Sequence, residues 1–361
     1  MTTDERFMAR ALRLAARGLG CSASPVGALV VREGRIVGRG YHPGPGQPHA
    51  EIHALREAGG LARGADLYVT LEPCCHWGRT GPCTQAVIAA GPARVIVGCL
   101  DPNPRVAGQG VAALRAAGIA VVTGVLEKAC RRGIECHCKF ISTGLPFVTL
   151  KLAQTLDGRV ATAGGESRWI TGERARAMVH RMRARHHAVL VGIGTVLADD
   201  PALNVRLPRS RRHPVRVVVD SQGRFPPNAR MLREPGGPVL IATTTAGALR
   251  LGALSGAEVL ALPAGEGGVD LGALLKALGR RELATVLVEG GPTLAGALLR
   301  QGLVDKAVFF VAPRVLGGAG SLGSVGGPDP GTLAEAVRLQ EVSVRRVGED
   351  LVITGYPGRE A

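Results

Sequence analysis

Short β-branched apolar runs alternate with helix-length segments along almost the whole chain, and this alternation restricts the fold more than any other feature. The runs "VGALVV" (26–31), "LYVTL" (67–71), "ARVIVGC" (93–99) and "IAVVTG" (119–124) read as strands. Between them, "HAEIHALREAG" (49–59), "CTQAVIAAG" (83–91) and "GVAALRAAG" (110–118) carry helical spacing. Such alternation builds α/β sheets covered by helices. The series stops after a helical stretch at "STGLP" (142–146), where turn residues and a proline interrupt it. It resumes with "FVTLKLA", "HAVLVGI", "VRVVVD", "PVLIAT", "AEVLALP", "ATVLVEGG" and "KAVFFVAP". With 361 residues, 46% of them hydrophobic, the chain can build two cores, and we expect domains at 1–144 and 145–361. The glycine- and proline-rich stretch 316–331 reads as an exposed loop.

Composition removes several functional classes. The N-terminal stretch has Asp4 and Glu5 ahead of a helical face of Met8, Leu12, Ala15 and Leu19, unlike the continuous apolar core of a signal peptide. No run approaches the roughly 18 apolar residues of a membrane span. A cytoplasmic protein is therefore expected, in which the eight cysteines serve as thiols or metal ligands rather than disulfides. The net charge of +15 suggests an anionic partner, but aromatics make up 3% of the chain and only "RLPRSRRHPVR" (206–216) is a dense basic cluster. A phosphorylated small substrate explains the charge without nucleic acid.

The stretch "LEPCCHWGRTGPC" (71–83) puts three cysteines and a histidine behind a strand, and "PHAEIHA" puts His49 and Glu51 at a helix start. A catalytic zinc needs three protein ligands and one open position. His49, Cys74 and Cys83 supply the three, and Glu51 lies where it can move protons rather than bind metal. This is the layout of zinc nucleobase deaminases, H-x-E followed by P-C-x-x-C. The spacing departs from that pattern, because "CHWGRTGP" lies between Cys74 and Cys83 and must loop out. Cys75 reads as a non-ligand. His53 is a weaker competitor for the metal, since its use would leave Glu51 without a role. Cys130, Cys136, His137 and Cys138 form a second, weaker metal candidate, with a connecting helix as the plainer reading.

The segments "PHAEIHAL", "YVTLEPCCHWGRTGPC" and "DPNPRVAGQG" resemble those of the bifunctional deaminase/reductase family of riboflavin biosynthesis. The likeness continues through "LKLAQTLDGRVA", "GESRWIT", "VGIGTVLADDPALNVR", "VVVDSQGR" and "VEGGPTLAGALL". It implies a cytidine-deaminase-like α/β/α zinc domain followed by a dihydrofolate-reductase-like α/β domain that uses NADPH. The implied activities are hydrolytic deamination of a phosphoribosylated pyrimidine and reduction of its ribosyl group, in a self-associating enzyme.

By the same resemblance, His76, Thr80 and Asn103 contact the deaminase substrate. Gln154, Trp169, Thr195, Asp199 and Ser221 line the NADPH site. So does the segment Gly291, Pro292, Thr293, Leu294, Ala295, Gly296 and Ala297, whose strand–glycine–helix pattern independently suits a pyrophosphate. Ser167, Arg183, Leu203, Arg206 and Glu289 are implied at the ribose phosphate, with Lys151 and Asp157 beside the sugar. One departure is "CSASPVGALVV", where Ala23, Ser24 and Pro25 stand in place of the family's asparagine–proline pair. Two rival readings are a base-editing enzyme whose basic second domain grips nucleic acid, and a deaminase whose second domain serves only assembly. Steep salt dependence of binding marks the first. Failure of residues 147–361 to bind NADPH marks the second.

Overall fold

The computed structural model describes residues 1–18, 24–44, 46–77, 81–103, 106–207, 210 and 212–358. By its internal contacts the chain divides into two units, Met1–Gly144 and Leu145–Ala361.

The first unit opens with α1 (Thr3–Ala15), whose capping box pairs the Thr2 hydroxyl with the Glu5 amide and the Glu5 carboxylate with the Thr2 amide. Its buried face is Phe7, Met8, Ala11 and Ala15; Leu19, expected to continue it, lies outside the described residues. There follow β1 (Gly27–Arg32), β2 (Arg35–Tyr41), α2 (Ala50–Ala58), β3 (Asp66–Leu71), α3 (Cys83–Ala90) and β4 (Arg94–Cys99). The unit closes with α4 (Gln109–Ala116), β5 (Ala120–Thr123), α5 (Glu127–Gly133) and α6 (Glu135–Thr143). Among the described residues the strands form one sheet in the order β2-β1-β3-β4-β5. β1 runs antiparallel to β2 and β3, while β3, β4 and β5 are parallel, so β3 and β4 end at the same sheet edge.

Strand β2 was not expected from the sequence, because "RIVGRGY" alternates glycine with arginine and lacks an apolar face. Those glycines position the helix that follows. A Cβ on Gly38 would sit 2.1 Å from the Ala54 carbonyl oxygen, and one on Gly40 1.9 Å from that of Ala50. The α2 backbone therefore rests directly on β2, which fixes where its first turn points.

The second unit begins with β6 (Phe147–Thr155), β7 (Arg159–Ala161), α7 (Glu173–Arg185), β8 (Ala188–Gly192), α8 (Ile193–Asp199) and β9 (Val215–Val219). Next come α9 (Arg230–Arg233), β10 (Val239–Thr244), α10 (Thr245–Leu251), β11 (Ala257–Leu262), and a small hairpin of β12 (Ala264–Gly265) and β13 (Gly268–Val269). The rest is α11 (Leu271–Arg280), β14 (Thr285–Val288), α12 (Pro292–Arg300), β15 (Lys306–Ala312), β16 (Leu322–Gly323), β17 (Leu339–Val347) and β18 (Asp350–Pro357).

Among the described residues the large sheet has the order β11-β10-β9-β8-β14-β6-β15-β18-β17. The seven strands read from the sequence are its parallel part, and β17 and β18 add an antiparallel hairpin at one edge. That hairpin escaped the sequence reading because β17 is exposed along most of its length and shows no buried alternation. The 316–331 stretch carries only the two-residue β16, paired with β7.

Candidate functional site

In the first unit, β3 runs out into Glu72, Pro73 and Cys74, α3 starts at Cys83, and α2 is preceded by His49 as its N-cap residue. These three element ends converge. His49 Nδ1 lies 3.2 Å from Cys83 Sγ and 3.5 Å from Cys74 Sγ. Among the described residues this is the one His/Cys/Asp/Glu group whose ligand atoms all lie close enough together for a metal, within 4.8 Å of one another. The Cys83 amide at the start of α3 donates to Cys74 Sγ at 3.3 Å, as helix N-termini do for thiolates. Cys74 is held well below the usual thiol range, first by its bond with Cys83 and then by His49, while Cys83 is pushed up by the same pairing.

Glu51, in the first turn of α2, is 3% exposed. Burial raises its carboxyl to about 7, against the opposing pull of His49. His53 is not part of the ligand group, and its Nε2 is buried without a hydrogen-bond partner. Nor do Cys130, Cys136, His137 and Cys138 gather into a metal group; His137 Nε2 instead lies 3.6 Å from Asp101 Oδ1. The plainer reading of that segment, a connecting helix, describes α5 and α6.

His76 Nδ1 is buried and unpartnered, two residues after Cys74. Asn103 lies on the loop leaving β4, where its amide donates to Asp101 Oδ1 at 2.9 Å. Thr80 and Ala23 lie outside the described residues. The sequence reading missed His42, which meets the His49 ring edge-on at 5.0 Å and whose Nδ1 is 3.3 Å from the Ser24 carbonyl. A lone histidine in "YHPGPGQP" carries no spacing signal that could have singled it out.

In the second unit, β6, β8, β9 and β14 are parallel and end at one edge, where sheets of this kind present their ligand crevice. That edge carries Gln154 at the end of β6, Thr195 in α8, Ser221 after β9 and Gly291–Ala297 after β14. Helix α12 has Gly291 as N-cap and Pro292 in its first turn, with no side-chain cap, so its opening amides suit an anion. A Cβ on Gly291 would be 3.7 Å from Thr195 Oγ1, and Gln154 Oε1 is buried without a partner. The Ser221 hydroxyl accepts from the Val269 amide at 3.0 Å. Ser167 Oγ and the Arg168 guanidinium both reach Asp199 Oδ1, and the exposed Trp169 ring lies under Arg176 at 4.6 Å.

A second cluster joins Arg183, Glu289, Lys151 and the segment Leu203–Arg206. Arg183 donates twice to the Glu289 carboxylate and once to the Asn204 carbonyl, and the Arg206 amide donates to His180 Nδ1. Burial lowers the Lys151 ammonium pKa, with Glu289 opposing. The Asp157 carboxylate accepts from Thr155 Oγ1 and from the Leu316 and Gly317 amides, and so anchors the loop after β15.

One histidine and two cysteines around a buried glutamate, followed by a mostly parallel α/β unit with an anion-suited helix start, define a zinc-dependent deaminase fused to a nucleotide-using reductase. Residues 1–99 match the cytidine and deoxycytidylate deaminase zinc-binding region, and residues 146–353 match the RibD C-terminal domain. The riboflavin biosynthesis protein RibD of Escherichia coli (strain K12) is 44% identical, the similarity covering 97% of this chain and 98% of that one. Among solved structures, Acinetobacter baumannii RibD has a TM-score of 0.86 at 39% identity, covering 99% of both chains. A diaminohydroxyphosphoribosylaminopyrimidine deaminase/5-amino-6-(5-phosphoribosylamino)uracil reductase from Thermotoga maritima has a TM-score of 0.88 at 36% identity, again covering 99% of both. The chain belongs to the RibD family of riboflavin biosynthesis, with a zinc-binding deaminase domain and a reductase domain that uses NADPH.

Proposed function

We propose that residues 1–144 deaminate, and residues 145–361 reduce, one phosphoribosylated pyrimidine in consecutive steps. The first substrate is 2,5-diamino-6-(5-phosphoribosylamino)pyrimidin-4(3H)-one, which loses the amino group at C2 to hydrolysis. In the second step C1′ of the ribosyl group, as the ring-opened imine, takes a hydride while its nitrogen takes a proton from solvent, and the group becomes ribityl. The observation that carries this reading is the convergence of His49, Cys74 and Cys83 beside the buried Glu51.

The donor set suits zinc. Tetrahedral bonds of about 2.0 Å to nitrogen and 2.3 Å to sulfur imply N···S separations of roughly 3.5 Å, and the trio has 3.2 and 3.5 Å. Three donors leave the fourth position open. Zinc held by these three residues would supply a nucleophile near neutral pH by lowering the pKa of water. Glu51, buried at the start of α2, would take a proton from the attacking water on its carboxylate and give it to the departing amine. His76, Thr80 and Asn103 orient the ring for attack.

NADPH supplies the hydride of the second step. The opening amides of α12 would hold its pyrophosphate, and Gln154, Trp169, Thr195, Asp199 and Ser221 would line the rest of its site. Arg183 and Arg206, with Ser167 and the Leu203 backbone, hold the ribose phosphate; Arg183 retains donors beyond those given to Glu289 and Asn204. Glu289 acts by fixing the Arg183 fork, since a carboxylate would repel phosphate. Lys151 lies beside the sugar.

The reading includes a cytoplasmic, self-associating enzyme that binds neither membrane nor nucleic acid. Among the described residues, no helix is long and apolar enough to cross a membrane. Light scattering of the purified protein tests self-association. The activity test follows ammonia release and NADPH absorbance together on the diaminopyrimidine phosphate, beside Glu51→Gln. Both signals are expected from the native chain, and the variant should oxidise NADPH only when given deaminated intermediate. Ammonia release with no NADPH oxidation would refute the second step, and absence of both would refute the reading.

A further inference from the structure

Glu72 is a carboxylate the mechanism leaves unused, yet it is 3% exposed and sits two residues before Cys74. Both of its oxygens are occupied by backbone amides from across the sheet edge. Asp101 N and Gly108 N donate to Oε2 at 3.1 and 2.9 Å, and Val111 N donates to Oε1 at 3.0 Å. One oxygen thus ties the two ends of the 101–108 loop together, and the other caps α4. That helix needs an outside cap, because its own N-cap residue is Gly108 and offers no side chain. The packing is tight: a Cβ on Gly110 would fall 2.1 Å from the Pro73 carbonyl oxygen and 3.2 Å from Glu72 Cγ.

We infer that Glu72 is a positioning residue for deamination, locking the loop that bears Asn103 to the strand end that bears Cys74. The inference rests on the reading of Asn103 as a substrate contact. The ring contact and the metal ligand then share one rigid mount, so the amino-bearing carbon is presented at a set distance from the open metal position. Charge-assisted bonds from three amides suit this use, because each is directional and none can be replaced by water at a buried carboxylate.

The test uses the full chain as Glu72→Gln, Gly110→Ala and Asn103→Ala. Four readouts are taken: deaminase kcat and KM, zinc content, reductase turnover, and hydrogen exchange of the Asp101, Gly108 and Val111 amides. In Glu72→Gln an amide NH₂ opposes a backbone donor. The three amides should then exchange about tenfold faster or more, and deaminase KM should rise by a similar factor. Zinc and reductase turnover should stay at native levels. Gly110→Ala reaches the same contact from the loop side and should reproduce the faster exchange and the raised KM, with zinc content read beside them because its Cβ would press on the Pro73 carbonyl next to Cys74. Faster exchange with unchanged KM in both variants would overturn the positioning role, as would loss of zinc and of folding in both, which would make Glu72 a determinant of the fold. Unchanged KM in Asn103→Ala would overturn the reading of Asn103 on which the inference stands, and the exchange data would still report the clasp separately.

Discussion

Arg183 grips the Glu289 carboxylate with a two-pronged pair, Nε to Oε1 at 2.5 Å and Nη2 to Oε2 at 3.0 Å, with only 15% and 7% of the two side chains exposed. The pair joins α7 to the end of β14 under the proposed phosphate site. Burial alone would raise the Glu289 carboxyl, but Arg183 and then Lys151 bring it below its ordinary value. Removing one member strands a buried charge, which typically costs about 3–5 kcal/mol. Glu289→Ala should therefore lower the stability of residues 145–361 by about that amount, read from the urea midpoint, and abolish reduction. Deamination should persist.

The proposed metal centre makes a separable prediction. Cys83, whose thiol is pushed up, and His49, whose pKa is raised by its bond with Cys74, carry protons that a metal must displace, so zinc loading should release acid and weaken as pH falls. Chelation, or Cys83→Ala, should remove zinc and ammonia release together and leave reductase turnover unchanged. Glu51→Gln should keep the metal and reduce deamination by about 10²–10⁴-fold, the usual scale for a lost general acid–base group. Elemental content beside the two assays distinguishes these outcomes.

Gly40 is a stringent test of how the site is mounted. Its missing Cβ would lie 1.9 Å from the Ala50 carbonyl, one residue from each of His49 and Glu51. Gly40→Ala should push the first turn of α2 off the sheet, at a cost of about 1–3 kcal/mol for overpacking. Zinc affinity and deamination should fall well below those of the native chain. An unchanged zinc affinity would contradict the account of α2.

The second unit should be sensitive to acid. His186 bonds to the Met182 carbonyl and to Thr149 Oγ1, and burial holds its pKa down to about 4. His180 is likewise held at about 4, by burial and then by Arg183 and Arg206. Both start from 6.5, so between pH 6.5 and 4 the unfolded chain binds protons that the folded chain refuses. Their contribution is complete above pH 6.5 and is lost as pH falls toward 4. Urea midpoints of the reductase signal should drop across that window, and His186→Gln should flatten the drop.

Much of this could be read along the chain. The seven parallel strands of the second unit announced themselves as apolar runs because strands covered on both faces need no alternation, and their spacing left room for the intervening helices. The convergence of His49, Cys74 and Cys83 was also legible, since a histidine with a glutamate two residues on and a proline–cysteine behind a strand is a pattern tied to specific chemistry. The exposed β17 and the glycine-interrupted β2 were not legible, because neither buries a face with a detectable period.

What lies beyond sequence patterns are the meetings of distant residues. His42 beside His49, Glu72 on the amides of 101–111, and Glu289 on Arg183 depend on which strands are neighbours and where helices dock. Local propensity and hydrophobic period act within a few residues, so they specify elements and the chemistry those elements carry. The order β2-β1-β3-β4-β5 and the close approach permitted by Gly38 and Gly40 are global packing solutions. They bring His42 against His49 and the amides of 101–111 onto Glu72, and no short-range pattern encodes those encounters.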